Sequence, residues 1–281
     1  AQFTRVGALA ADLVGPFQDY LIRGGFPQIA QIESIPLAQK LLREDIVDKV
    51  LKRDMTALYG VRRILELEQT FLYLCLHDGG LLDVQELCRS LEVKKPTAMN
   101  FIELLEHTHL IYRLRPFGYG KEILRGKQKI FLADSAIAPS VLLRGKALLE
   151  DAAALGLAVE TALFKHVYTR YYAQSIGFSY WRGGPRGQEV DIIADVNGLL
   201  VPFEVKHRAD VTTRMLSGLT SFCDERRVSE GYVITRDSDD FGLLPLPTTR
   251  VKAAAVKVPA PLACYWLGRS EIFATKLDMD T

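Results

Sequence analysis

Asp191, Glu204 and Lys206 are the residues whose types and spacing could do chemistry together. Asp191 lies within the apolar run VDII, and Glu204 is flanked by Phe203 and Val205. A charge placed in such a run is costly unless it is ligated or paired. Strand side chains alternate faces, so Glu204 and Lys206 should point the same way. Asn197-Gly198 predicts a tight hairpin between the two runs. Counting outward from that turn brings Asp191 and Glu204 close together on neighbouring strands. Two facing carboxylates repel unless a cation lies between them. An all-oxygen pair suits Mg²⁺ (or Mn²⁺), with water and phosphate completing the coordination. Such an ion polarises a phosphodiester and lowers the pKa of a bound water. Lys206 would then stabilise the attacking hydroxide or the charge of the transition state. Glu160, on the preceding helical run, is a third candidate ligand. The plainer alternative is an Asp191–Lys206 salt bridge in an inactive domain.

The neighbours of this trio read more simply. Glu189 points to the opposite strand face and is expected to be solvated. His207 reads as an exposed strand-end histidine. Arg182 and Arg186 flank the loop before the Asp191 strand, where they either hold a phosphate backbone or face solvent.

The elements that must position these residues follow from pattern. From about residue 150, DAAALGLAVETALFKHVYTRYYA predicts a helix, FSYWR a strand, QEVDIIADV and LLVPFEVK the hairpin, VTTRMLSGLTSFCDERR an amphipathic helix, and EGYVITRD a buried strand. That is an αβββαβ order. Residues 62–145 predict three helices, with Gly79-Gly80 ending the first and Pro96 opening the third. Two strands follow, IYRLRPFG and QKIFLAD, in the order of a winged helix. Lys94, Lys95, Arg113, Arg115, Lys121, Arg125, Lys127 and Lys129 fall here against Glu103, Glu106 and Glu122, a basic surplus that suits phosphate contacts. Packing or protein contact is the alternative use of such a module. His107 and His109, two apart at a helix end, do not share a face as metal ligands would. Residues 1–61 predict a helical segment, lid-like by the ATPase resemblance given below, with an amphipathic stretch through Leu37, Leu41, Leu42, Ile46, Val50 and Leu51. Residues 241–281 read as a Pro- and Ala-rich extension. The expected fold is therefore an α/β multidomain (α+β) chain divided at 1–61, 62–145, 146–240 and 241–281.

Asp191, twelve intervening residues, then Glu204-Val205-Lys206 on a hairpin between two helices resembles the PD-(D/E)XK restriction-endonuclease-like superfamily. Glu160 matches the helix acid of many members, and Gln188-Glu189-Val190-Asp191 their metal strand, although Val190 stands where a Pro is usual. The resemblance spans about 90 residues and implies a Mg²⁺-dependent nuclease with Asp191, Glu204 and Glu160 as ligands. A second resemblance covers about residues 15–236. YLIRGGFP, LLREDIVDKVLKRDMTALYGVR and KIFLADSAIAPSVL, followed by the EVD…EVK tail, look like the C-terminal region of a prokaryotic family of AAA+-type ATPases with a domain of unknown function. It implies an ATPase module ahead of this chain, with Arg23 as an ATP-sensing residue; the alternative for Arg23 is an ordinary helix-end arginine. No GxxxxGK[ST] occurs, and GYGKE at 118–122 lacks the glycine and hydroxyl of a P-loop. ATP is therefore expected only if such a module exists, and the non-Met start suits its removal.

Bulk properties exclude some classes. A net charge of +1 gives no global field toward nucleic acid or membrane. Cys75, Cys88, Cys223 and Cys264 form no CxxC pair and read as reduced core thiols. No signal peptide or membrane-spanning run is evident. The expected protein is cytoplasmic, binds DNA, avoids membranes and is compatible with oligomerisation. Its expected activity is DNA phosphodiester hydrolysis. The alternatives are a non-cleaving DNA- or protein-binding module regulating the ATPase core, and a toxin–antitoxin or defence regulator.

Overall fold

The computed structural model describes residues 2–118, 123, 126–172, 176–183 and 187–279, excepting the side chains of 2–6, 58 and 270–279. Arg186, Lys121 and Arg125 lie outside the described residues. The architecture is mixed α/β, and the chain divides into two compact units. The helical unit is Gln18–Leu114 with Lys127–Thr161; the sheet unit is Ala1–Phe17, Arg115–Gly126 and Ala162–Thr281. This division is coarser than the four segments expected, and it runs through the middle of the helix Ala152–Tyr171.

In the helical unit, Ser34 accepts a hydrogen bond from Leu37 N and, with Pro36 in the first turn, starts the helix Ile35–Leu41. This helix continues through Leu42–Asp54, wound with π geometry, into Met55–Tyr59, which stops at left-handed Gly60. A π stretch of this length is unusual. Its buried residues Leu42, Val47 and Leu51 join a core with Leu67, Phe71, Leu74, Leu87, Ile102 and Leu105. Those last residues come from helices Ile64–Leu76, Val84–Leu91 and Lys95–His107. Asp83 caps the second of these through Gln85 N and Glu86 N. Strand β1 (Ile111–Pro116) pairs antiparallel with β2 (Lys129–Leu132), and Leu81 adds an isolated bridge to Lys129.

Gly24-Gly25 has a specific role. Gly24 has φ +88°, and a Cβ there would stand 2.8 Å from Asp134 Oδ1. Asp134, fully buried, accepts from Gly25 N at 2.9 Å and Ala136 N at 3.0 Å. The two glycines let the backbone come close enough for this carboxylate to bind it.

The sheet unit carries strands β3 (Gly177–Gly183), β4 (Gln188–Val196), β5 (Leu199–Lys206), β6 (Glu230–Thr235), β7 (Gly242–Pro245) and β8 (Ala254–Pro259). Their order is β3-β4-β5-β6-β8-β7. β3 to β5 run antiparallel, β5, β6 and β8 parallel, and β7 antiparallel to β8. Arg115 and Pro116 at the end of β1 run parallel to β3. One sheet face packs Trp181, Val190, Ile193, Val233 and Ala255 against the helix Ser217–Arg226. Gly218 lets that helix lie flat on β4, because a Cβ there would fall 1.9 Å from Glu189 O. The other face carries Phe203, Tyr232 and Val256, stacked across neighbouring strands.

The stretch read as a Pro- and Ala-rich extension supplies β7, β8 and the helix Ala260–Met279. β8 (AAVKVP) is hydrogen-bonded on both sides, which compensates for alanine's weak strand preference. All four cysteines are free thiols, and burial pushes those of Cys223 and Cys264 up to about 12. Among the described residues no helix is long and apolar enough to cross a membrane.

Candidate functional site

The Asn197-Gly198 hairpin sets the register Val196↔Leu199 through Ile192↔Phe203. One step further along the two strands come Asp191 and Glu204. On the other side of β4, Ser179 pairs with Ile193 but Trp181 with Val190, so β4 has one residue more than β3 between these pairs. This is a β-bulge, and it falls at Asp191 and Ile192. Bulges re-aim a side chain without breaking the sheet. Here the Asp191 carboxylate reaches across to β5, where Val205 N donates to its Oδ2 at 2.8 Å.

Glu204 and Lys206 share a face, as their spacing requires, and the Lys206 ammonium is ion-paired to Glu204 Oε1. The Glu204 side chain is 6% exposed and that of Lys206 28%. The pair therefore has a buried end and a wet end. The register continues Glu204↔Val233↔Lys257, which places Lys257 in the same row, about 10 Å from Glu204 at normal strand spacing. Lys257 is ion-paired to Asp240. Sequence reasoning missed this second pair, because Lys257 lies in the segment taken for an extension and Asp240 at the last position before it. Gln188, at the start of the Asp191 strand, accepts from Ser221 Oγ at 3.2 Å, tying strand to covering helix. His207 is half-buried rather than exposed; burial first, then Arg236, lowers its pKa and favours the neutral ring.

Glu160 belongs to the helical unit and is engaged there. Lys129 Nζ lies 2.6 Å from its Oε1, with the two side chains 3% and 12% exposed. The next residue, Thr161, donates to Asp78 Oδ2 at 2.8 Å, and Leu132 N donates to Asp78 Oδ1 at 2.9 Å. Burial raises the Asp78 carboxyl to about 7.

The residues read as a basic surface divide in the same way. Lys94 and Lys95 are exposed at the start of the helix Lys95–His107, and Arg115 and Arg182 are exposed in the sheet unit. Arg113 is paired with Glu106, Lys127 with Asp83 at 2.6 Å, and Lys129 with Glu160. Counting cations along the chain could not reveal these internal partners.

Asp191 and Glu204 are hard oxygen donors on adjacent strands. Among the described residues no group of three or more His, Cys, Asp or Glu side chains could hold a metal ion. Mg²⁺ does not need an all-protein cage, because it keeps several waters and takes one or two carboxylates plus substrate phosphate. The two-carboxylate set fits that mode of binding.

Residues 15–148 match the model of a domain of unknown function (DUF8612), and residues 155–250 that of another (DUF4143). The second is often found in AAA-ATPase-associated proteins. No curated protein and no solved structure matches the chain.

Proposed function

We propose that the sheet unit is a Mg²⁺-dependent phosphodiesterase of the PD-(D/E)XK type acting on DNA. In this reading it is carried in the C-terminal region of an AAA+-type ATPase-family protein. The observation that carries it is the bulged strand that turns Asp191 onto β5 beside the Glu204–Lys206 pair. The DUF4143 match over residues 155–250 supports the ATPase association.

Asp191 and Glu204 would hold the ion, which when bound supplies a polarised phosphate and an acidified water. Val205 N–H fixes the Asp191 carboxylate through one oxygen. Lys206 is the chain's own cation at the site, and its half-wet ammonium can leave Glu204 to meet the charge that builds on the attacked phosphate. Three helices followed by an antiparallel ribbon support a winged helix in the helical unit, with Lys94 and Lys95 leading its third helix. That module would hold the duplex through its phosphates. ATP enters only through an ATPase module outside this chain.

A second reading is a non-cleaving module that binds DNA or protein and regulates the ATPase. It is favoured by Glu160 being committed to Lys129, which leaves two carboxylates, and by the internal pairing of Arg113, Lys127 and Lys129.

Plasmid incubated with the full chain and Mg²⁺ or Mn²⁺ separates the two. Cleavage that is lost in Asp191→Asn and Lys206→Met while both variants stay folded supports the phosphodiesterase. An intact plasmid with either metal, alongside a salt-sensitive gel shift weakened in Lys94→Gln/Lys95→Gln, supports the binding module instead.

A further inference from the structure

The helical unit contains a second concave site that the proposed hydrolysis does not use. A cavity of about 310 Å³ lies between the helix Ile35–Leu41 and the segment 140–146. Its polar lining is Gln39, Lys40, Arg43, Ser140 and Lys146, with no carboxylate among the lining residues. Lys40 and Lys146 have no ion-pair partner among the described residues. Arg43 has only distant contacts, Glu44 at 3.9 Å and Ser140 O at 3.5 Å. Ser140 is 1% exposed, and its hydroxyl has no hydrogen-bond partner among the described residues. Gln39 is held in place by its amide nitrogen, which donates to Ile22 O at 2.9 Å.

Three cations around one concavity repel one another unless an anion enters. An unpaired buried hydroxyl is also costly to leave unmet. Both costs fall away for one kind of guest: a compact group with two negative charges and several acceptor oxygens. A carboxylate brings one charge and two oxygens, whereas a phosphate monoester brings nearly two charges and three acceptor oxygens. The volume sits at the small end of ligand pockets, which run from about 300 to 1,000 Å³. That is room for a phosphate and a small organic group.

We propose that this cavity binds a small phosphate monoester through Lys40, Arg43, Lys146 and the Ser140 hydroxyl.

The test uses the full chain and reads its thermal midpoint and, by calorimetry, its affinity for inorganic phosphate, ribose 5-phosphate and a short single-stranded oligonucleotide at matched ionic strength. The expected result is a concentration-dependent rise in midpoint with the two small phosphates. Affinity should fall roughly tenfold or more in Lys146→Gln and in Lys40→Gln. Both lysines are exposed, so these variants should fold normally; an unliganded midpoint equal to that of the unmutated chain checks this. Ser140→Ala should weaken phosphate without weakening a chloride control. No saturable effect of phosphate, or an effect unchanged in both lysine variants, overturns the proposal. An oligonucleotide that binds more tightly than ribose 5-phosphate through the same lysines also overturns it, by making the ligand a phosphodiester. Because none of these residues belongs to the Asp191 site, failure here leaves the plasmid assay unaffected, and the reverse holds too.

Discussion

In the helical unit, Asp78, Asp134 and Glu160 are all buried, and each is committed to the fold. Asp134 binds two backbone amides, Asp78 binds Leu132 N and the Thr161 hydroxyl, and Glu160 binds Lys129. In the sheet unit, Asp191 stands where β4 bulges and accepts from Val205 N, while Glu204 on the next strand is paired with a partly solvent-exposed Lys206. The contrast separates carboxylates that complete a core from the pair proposed to hold a metal ion. Burial does not make the distinction, because Glu204 is as buried as Asp78. What differs is whether the partner can leave. The lysine buried against Glu160 cannot, nor can the amides that hold both oxygens of Asp134, while the Lys206 beside Glu204 can turn outward; Asp191 keeps one amide, Val205 N, on its Oδ2.

The sharpest way to break this comparison is to remove a committed partner. Glu160→Ala leaves Lys129 buried without its carboxylate and should cost about 3–5 kcal/mol, read as a lowered denaturant midpoint. A loss below about 1 kcal/mol would mean that Glu160 is as dispensable to the fold as a ligand residue. Gly218→Ala should come next. Its methyl would meet Glu189 O at 1.9 Å, so the covering helix must lift from the Asp191 strand, at a cost of about 3 kcal/mol. Trp181, packed edge-on against Phe222 of that helix, should report the shift by fluorescence.

Asp78 gives a pH dependence with a defined sign. Its folded carboxyl is raised from 3.8 to about 7, so the folded state holds the proton more tightly than the unfolded chain. This contribution is complete at acid pH and is lost as pH rises toward 7. Between about pH 5.5 and 7 the stability of the helical unit should fall by roughly 2 kcal/mol through this group. Asp78→Asn should flatten that slope, and a slope unchanged by the substitution would remove Asp78 as its source. The smallest stability effect is expected at Asp191. Asparagine can still accept from Val205 N, so Asp191→Asn should change stability by about 1 kcal/mol or less while abolishing metal-dependent cleavage. A large loss of stability would place Asp191 with the committed carboxylates instead.

The hairpin, the shared face of Glu204 and Lys206 and the covering helix were legible because each rests on a local rule: a two-residue turn, strand alternation and helical periodicity. The bulge was not legible. One extra residue in β4 is defined only by its pairing with β3, and no residue in VDII announces it. The commitment of Glu160 was hidden for a similar reason, since its partner Lys129 lies on a strand thirty-one residues earlier. Lys257 was missed because alanine and proline masked the strand β8, and its partner Asp240, in the turn before β7, went unread with it. The π winding of Leu42–Asp54 buries Leu42, Val47 and Leu51 at spacings of five and four, wider than the three and four of an α-helix, and a search for amphipathic periodicity reports a helix without resolving that pitch.

The bulge at Asp191 also bears on how this site could be gained or lost. Val190 and Ile193 face the same helix although two residues separate them, so β4 carries one residue that its pairing with β3 and the helix-facing core do not require. Deleting Asp191 would restore regular pairing with β3 and keep Val190 and Ile193 on the helix-facing side. Loss of that single codon would therefore remove the proposed centre while keeping the residues that pack on the covering helix.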